Sequence, residues 1–240
     1  MTQVRSRFVG VDLTAGVPET AYDTGPLPFP AVLLARGATL ELEDVRTFTS
    51  LRAFREWVEA VDPTGLAIDG PCGAVGIALD AERRRFVFDA PDTRPAEREL
   101  VKAGIRLFWT TRKTVESFDG AARWIARSLV VFEDLRSAGR DPVETHPHGV
   151  FEMLRRADPD ADGLAAKTSA DGRRQRLALL AAHLPGLEGA RLPDDDFVDA
   201  AAAALLAALR DEGRARPYGS VERGGQIWLP QTRSNTSAST

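Results

Sequence analysis

Apolar residues in the first third of the chain form short runs bounded by turn residues, a pattern typical of strands. Residues 7–13 and 66–69 are nearly continuous apolar runs, and each predicts a short buried strand with an aspartate at its end. Residues 31–35 and 39–45 flank an Arg-Gly-Ala turn, which predicts an antiparallel hairpin. The pattern therefore predicts four strands before residue 70.

A helical period interrupts these strands and dominates the rest of the chain. Apolar residues at 51, 54, 57, 58 and 61 follow Ser50 and precede Pro63, which predicts an amphipathic helix. Residues 73–139 are arginine-rich and predict a mainly helical insertion, with helices near 96–102 and 121–135. After a fifth strand at 143–145, helices are expected at about 150–156, at 171–183 and, rich in alanine, at 194–210.

Length and composition fit one soluble domain. The 240 residues are 43% hydrophobic and 28% charged, values of an ordinary globular chain. We expect a single domain over residues 1–230, including the insertion, and a disordered Ser/Thr-rich tail at 231–240 that follows a last apolar run at 226–230. The longest strictly apolar run, 200–209, is about half of a membrane span, and no signal peptide precedes residue 7, so we expect a cytoplasmic protein with no membrane contact.

Charge and cysteine content exclude several classes of function. The net charge of −4 argues against a general nucleic-acid binder. Residues 83–127 carry eleven basic and six acidic residues, a local charge of +5, which suits either a phosphate-binding wall or the solvated face of a helix. The single cysteine, Cys72, excludes an internal disulfide or a cysteine-rich zinc site, and we expect a packed thiol there.

Three predicted strands end in an acid: Asp12, Asp69 and Glu144. Any one of them has a simple explanation, because acids before Gly, Pro or Thr form turns. However, ligands gather at the carboxyl ends of strands in α/β sheets. If the strands are neighbours, the three carboxylates converge and repel each other unless they are protonated or bridged by a cation.

Two more acids begin the alanine-rich helix. Asp196 and Asp199 are three residues apart and therefore lie on one helical face. Helix capping explains Asp194 and Asp195, but Asp199 lies in an apolar neighbourhood, where a carboxylate needs an arginine or a metal as its partner. We favour the metal.

The ligand types indicate which metal. Oxygen donors without a Cys or His cluster favour Mg²⁺ or Mn²⁺, and gathered carboxylates suit phosphoryl chemistry with two such ions. His146 and His148 could join the site, although histidines in a turn are more often surface residues. The sequence contains neither a P-loop nor a G-x-G-x-x-G motif, which excludes the familiar nucleotide cradles.

Five short motifs in a fixed order carry a family resemblance. They are Val9-Gly10-Val11-Asp12, Ala67-Ile68-Asp69-Gly70-Pro71, Val143-Glu144-Thr145-His146-Pro147, Asp195-Asp196-Phe197-Val198-Asp199-Ala200 and Gly225-Gln226-Ile227-Trp228-Leu229-Pro230. Together they resemble the DUF429 family, whose members are predicted RNase H-like nucleases. The resemblance implies an RNase H-like α/β fold: a mixed five-stranded sheet in the order 3-2-1-4-5, flanked by helices, with a helical insertion and a C-terminal catalytic helix.

The resemblance also implies roles for individual residues. Asp12 and Asp69 would be metal ligands, Asp196 or Asp199 would complete the set, and Glu144 would be a ligand or a supporting group. Arg94 and Arg98, in a segment that resembles the family's arginine-containing insertion, would contact phosphate, although Glu97-Arg98 replaces the Asp-Arg pair expected there.

The leading hypothesis is a divalent-metal-dependent phosphodiester hydrolase, a nuclease acting on DNA or RNA. Asp12, Asp69 and Asp199 would hold Mg²⁺ or Mn²⁺, with Glu144 and Asp196 supporting them. Two alternatives stay open: a non-catalytic RNase H-like module that binds nucleic acid or a protein, and a phosphohydrolase acting on a small nucleotide.

Overall fold

The structure is a computed structural model that describes residues 5–13, 28–73, 77–80, 85–88, 93–111, 120–158, 161–187 and 192–232, with the backbone alone at 77–80, 85–88, 120–123 and 126. The strands are β1 (Ser6–Asp12), β2 (Phe29–Arg36), β3 (Leu40–Phe48), β4 (Gly65–Asp69), β5 (Ile77–Asp80), β6 (Arg85–Phe88), β7 (Val143–Thr145), β8 (Ala215–Ser220) and β9 (Gly225–Pro230). The helices are α1 (Leu51–Val61), α2 (Pro95–Lys102), α3 (Gly120–Ser137), α4 (Pro147–Arg155), α5 (Ala170–Ala181) and α6 (Asp195–Asp211), with a 3-10 turn at Val221–Arg223.

The main sheet has the order β3-β2-β1-β4-β7-β9-β8. Its first five strands are the five predicted ones, in the predicted order 3-2-1-4-5, which confirms the fold class. β1, β4, β7 and β9 run parallel, whereas β2, β3 and β8 are antiparallel to their neighbours. The predicted count of five was too low, because β8 and β9 extend the sheet beyond β7. The apolar run at 226–230 is thus a strand and not only the approach to the tail.

One face of the sheet packs on α1 and α3. Ser50 caps α1 by accepting a hydrogen bond from the backbone N–H of Ala53. The apolar face of α1 meets the sheet through an aromatic cluster, in which the rings of Phe29 and Phe54 lie 5.3 Å apart, edge to face. Val131 and Leu135 of α3 are part of the same core. The part of this face under α1 and α3 is therefore largely apolar.

The other face packs on α6, and a close backbone contact sets the distance between the sheet and this helix. A Cβ atom added at Gly10 would lie 2.1 Å from the carbonyl oxygen of Ala200 and 2.1 Å from the backbone nitrogen of Ala204. Only glycine in β1 and small residues in α6 permit this approach. The alanine-rich sequence of α6, buried from Phe197 to Leu209, is therefore explained by its contact with the sheet.

The segment 73–139 contains the β5–β6 hairpin, which forms a separate two-stranded sheet, and the helices α2 and α3. The hairpin was not predicted. In the tail predicted to be disordered, residues 233–240 lie outside the described residues. Within the described part of the chain, no helix combines the length and the apolar character needed to cross a bilayer.

Candidate metal centre

Asp12 and Asp69 end two neighbouring parallel strands. The register of β1 and β4 pairs them directly, so their side chains lie on the same face of the sheet. That face is the one covered by α6, because Gly10, two residues before Asp12, contacts the helix backbone. Asp12 is fully buried, and Asp69 is partly buried. The strand register therefore brings two carboxylates together at the carboxyl edge of the sheet.

Asp199 joins these aspartates from α6. Its neighbour Ala200 makes the contact with Gly10, and Asp199 itself is 7% exposed. One carboxylate oxygen from each of Asp12, Asp69 and Asp199 lies within 4.8 Å of the other two. The structure thus gathers the three residues that the sequence analysis expects to hold a metal.

The surroundings oppose the ionised form of these carboxyl groups. Burial, then repulsion from Asp12 and Asp199, raises the pKa of Asp69 well above its ordinary value. Burial also raises the pKa of Asp199, against the opposing effect of Lys167. Carboxylates this close need protons or a cation to offset their charge. All the gathered donors are hard oxygens, so the residues present fit Mg²⁺ or Mn²⁺.

Lys167, in the loop before α5, is the residue that the sequence analysis missed. Its Nζ atom lies 2.5 Å from Oδ2 of Asp199 and 3.4 Å from Oδ1 of Asp196. These carboxylates outweigh the effect of burial and raise the pKa of Lys167, which therefore stays charged. The sequence carries a weak signal for Lys167, because lysine is rare in this chain: three of the 31 basic residues are lysines.

The other acids at the start of α6 have different roles. Asp194 is the N-cap and accepts hydrogen bonds from the backbone N–H groups of Asp196 and Phe197. Asp195 pairs with Arg173 at 2.7 Å. The side chain of Asp196 is 39% exposed and forms an ion pair with Lys167, so the structure places it beside the three carboxylates and not among them.

Glu144 lies apart from the three aspartates, although it also ends a strand. The register of β4 and β7 pairs it with Ile68, not with Asp69, so its side chain is on the opposite face. There both its oxygens accept from the guanidinium of Arg94, one at 2.7 Å, and it also accepts from the backbone N–H of Cys72 at 2.8 Å. Glu144 therefore lies outside the group of three aspartates and is paired with Arg94.

Arg94 is 1% exposed, whereas the contact with phosphate expected from the sequence needs an exposed guanidinium. Besides Glu144, it donates to the carbonyl of Gly224 at 2.7 Å and lies 3.6 Å from Glu97. The only other arginine assigned to phosphate, Arg98, is half-buried and donates to Thr93. Of the basic segment 83–127, residues 83, 84, 89–92 and 112–119 lie outside the described residues.

Three further candidate side chains, His146, His148 and Cys72, lie outside the carboxylate cluster. His146 bonds the carbonyl oxygen of Arg106 through Nε2, and burial lowers the pKa of His146 to about 4, so it is neutral. It lies beside His148, with ring centroids 6.0 Å apart, and neither belongs to the carboxylate cluster. Burial raises the pKa of Cys72 to about 12, as a packed, unreactive thiol requires.

Comparisons with known proteins identify the family of this chain and solved structures that are similar to it. The sequence model of DUF429, described as a protein of unknown function, matches residues 10–223. Among solved structures, Thermus thermophilus RuvC is similar at 14% identity and a TM-score of 0.45, covering 86% of this chain and 96% of RuvC. The same protein in complex with a Holliday junction substrate gives 14% identity and a TM-score of 0.44, covering 87% and 96%. No curated protein matches the chain.

Proposed function

We propose that this chain, which belongs to the DUF429 family, is a divalent-metal-dependent phosphodiester hydrolase that acts as a nuclease. The observation that carries the proposal is the convergence of Asp12, Asp69 and Asp199 from three separate elements within 4.8 Å. A stable fold has no need to bury three like charges together. Clusters that oppose their own ionisation are more common at functional sites than elsewhere.

In this proposal Asp12, Asp69 and Asp199 hold Mg²⁺ or Mn²⁺, and Asp196 supports them at the exposed side of the cluster. A bound ion of this kind would activate water and stabilise the leaving oxygen of a phosphodiester. Lys167 balances the charge of Asp199. Arg98 and the exposed Arg106 are our candidates for contacts with the phosphate backbone.

The experiment is thermal unfolding of the wild-type protein and of Asp12→Asn in EDTA, Mg²⁺ and Mn²⁺, followed by incubation with labelled single- and double-stranded DNA and RNA. Metal that binds the native state must raise its melting temperature. We expect a metal-dependent rise in the wild type alone, and a loss of cleavage of at least about a hundredfold in Asp12→Asn. In EDTA the variant should be as stable as the wild type or more so, because it relieves repulsion.

Active Asp12→Asn protein would contradict the assignment of this site. Asp44→Asn is a matched control, because Asp44 is an acid of β3 that pairs with Arg46 and lies outside the cluster. It should keep both the metal response and the cleavage.

A second candidate function is a non-catalytic module that binds nucleic acid or a protein. The contact of Lys167 with Asp199 favours it, because a lysine offsets part of the cluster's negative charge without any metal. This candidate predicts that Mn²⁺ leaves the melting temperature of the wild type unchanged and that no substrate is cleaved.

A further inference from the structure

A cavity of about 160 Å³ opens beside the candidate metal centre. Asp69 and its register partner Thr145 form part of its wall, so the cavity and the metal centre share a ligand. Leu107, Phe108, Trp124 and Ile227 make much of the remaining wall apolar. A group attached to a phosphate at the three aspartates would have this cavity next to it.

One residue that lines the cavity, Glu97, has a buried oxygen atom without a hydrogen-bond donor among the described residues. Glu97 is 1% exposed, and its Oε1 accepts from the backbone N–H of Thr110 at 3.0 Å and lies 3.6 Å from Arg94. Its Oε2 is buried and has no hydrogen-bond donor in the described part of the chain. A buried carboxylate oxygen left unsatisfied is costly, so such a group calls for a donor from a ligand.

The apolar walls suit a flat ring. Phe108 is 51% exposed although it is a large apolar residue, and its ring lies 6.3 Å from that of Trp124 in an edge-to-face arrangement. Exposed aromatic rings beside a phosphate site are the usual platforms on which bases of a single strand stack. A cavity of about 150 Å³ is enough for benzene, so 160 Å³ is enough for one six-membered ring.

Resting on the nuclease function proposed above, we propose that this cavity receives a cytosine of the substrate strand, next to the phosphate held at Asp12, Asp69 and Asp199. The exocyclic amino group of cytosine donates to Oε2 of Glu97, and the ring stacks on Phe108. Carboxylates accept from this amino group in other protein–nucleic acid contacts. Thymine and uracil present a carbonyl oxygen at the same position, which would face the carboxylate acceptor to acceptor.

The test measures binding without metal, so that it does not depend on cleavage. A short labelled oligothymidylate, with or without one central cytidine, is titrated with the protein in EDTA and followed by fluorescence anisotropy. We expect the wild type to bind the cytidine strand at least about fivefold more tightly. In Glu97→Gln this preference should vanish or reverse, because an amide can donate to the thymine carbonyl. Phe108→Ala should weaken binding of both strands at least about fivefold.

Glu99→Gln is the matched control, because Glu99 lies on the same helix but is exposed and outside the cavity. It should keep the wild-type preference. Equal binding of the two strands by the wild type, tighter binding of a strand with a central purine, or an unchanged preference in Glu97→Gln would each overturn the cytosine site. If Glu97→Gln does not fold, the wild-type preference and the Phe108→Ala result still decide. A strand cleaved with Mn²⁺ but without base preference would leave the nuclease proposal standing and remove this one.

Discussion

Two buried acidic clusters lie at the ends of neighbouring strands, and they differ in what balances their charge. In the first, Asp199 pairs with Lys167, whose side chain is 38% exposed, and the charges of Arg127 and Arg176 also act on Asp12 and Asp199. In the second, Glu144 and Glu97 share the guanidinium of Arg94, which is 1% exposed. The first cluster is paired with a cation that stays partly solvated, whereas the cation of the second is buried with its carboxylates.

The comparison shows that a position at the end of a strand does not by itself make an acid a metal ligand. Asp69 and Glu144 are on adjacent strands, but a shift of one residue in register turns them to opposite faces. One face presents Asp199 of α6, and the other presents Arg94. An arginine with planar, paired donors satisfies both oxygens of a carboxylate, whereas the lysine contacts one oxygen of Asp199.

The largest expected effect comes from breaking the buried ion pair of Arg94 with Glu144. Arg94→Ala leaves Glu144 buried without its guanidinium, and the free energy of unfolding should fall by about 3–5 kcal/mol. Urea denaturation followed by tryptophan fluorescence measures this loss. Arg98→Ala is the matched control, because Arg98 lies on the helix that begins directly after Arg94. It should cost less than about 1 kcal/mol, since Arg98 is half-buried and donates to Thr93. Equal losses in the two variants would show that Arg94 carries no special role.

A smaller effect is expected when the lysine beside the three aspartates is replaced. Lys167→Gln removes a positive charge that competes with a bound cation, so Mn²⁺ should bind about fivefold more tightly, equivalent to about 1 kcal/mol. The effect is modest because Lys167 is partly solvated, which screens its charge. Isothermal titration with Mn²⁺ gives the affinity. Weaker binding in the variant would mean that Lys167 organises the site instead of competing for it.

The smallest effect concerns pH. The raised pKa of Asp69 means that the folded protein binds a proton more readily than the unfolded chain, so this group costs stability as pH rises from about 4 through its raised pKa. Asp69→Asn removes that cost. Its melting temperature in EDTA should exceed that of the wild type near pH 8, and the advantage should fade toward pH 4. An advantage that grows as pH falls would contradict this account.

Much of the sheet and part of the site could be predicted from the sequence. The apolar runs and the alternation at 39–45 predicted the five strands, because such patterns are strong local signals, and the family resemblance implied their order. Convergence of Asp12 and Asp69 followed from parallel neighbours, and the apolar context of Asp199 indicated a special partner. β9 was missed as a strand, since a short run bounded by glycine and proline has no period that separates it from a loop.

The partners of the acids could not be predicted. Lys167 reaches Asp199 from a loop 32 positions earlier in the sequence, and Arg94 reaches Glu144 across 50. Neither pairing leaves a periodic trace in the chain. The register of the strands could not be predicted either. The sequence shows that strands end in acids, but it does not show which residues lie opposite each other. That register decides whether Glu144 joins the aspartates.

The contact between Gly10 and α6 sets the dimensions of the candidate metal centre. Because main chain rests on main chain at Ala200 and Ala204, the spacing between β1 and the helix that carries Asp199 does not depend on any side-chain rotamer. The three aspartates are therefore mounted on a rigid frame, and their separation should survive extensive replacement of the surrounding core. Evolution could vary the cavity, the arginine-rich insertion and the outer strands while this frame kept the carboxylates at a fixed distance.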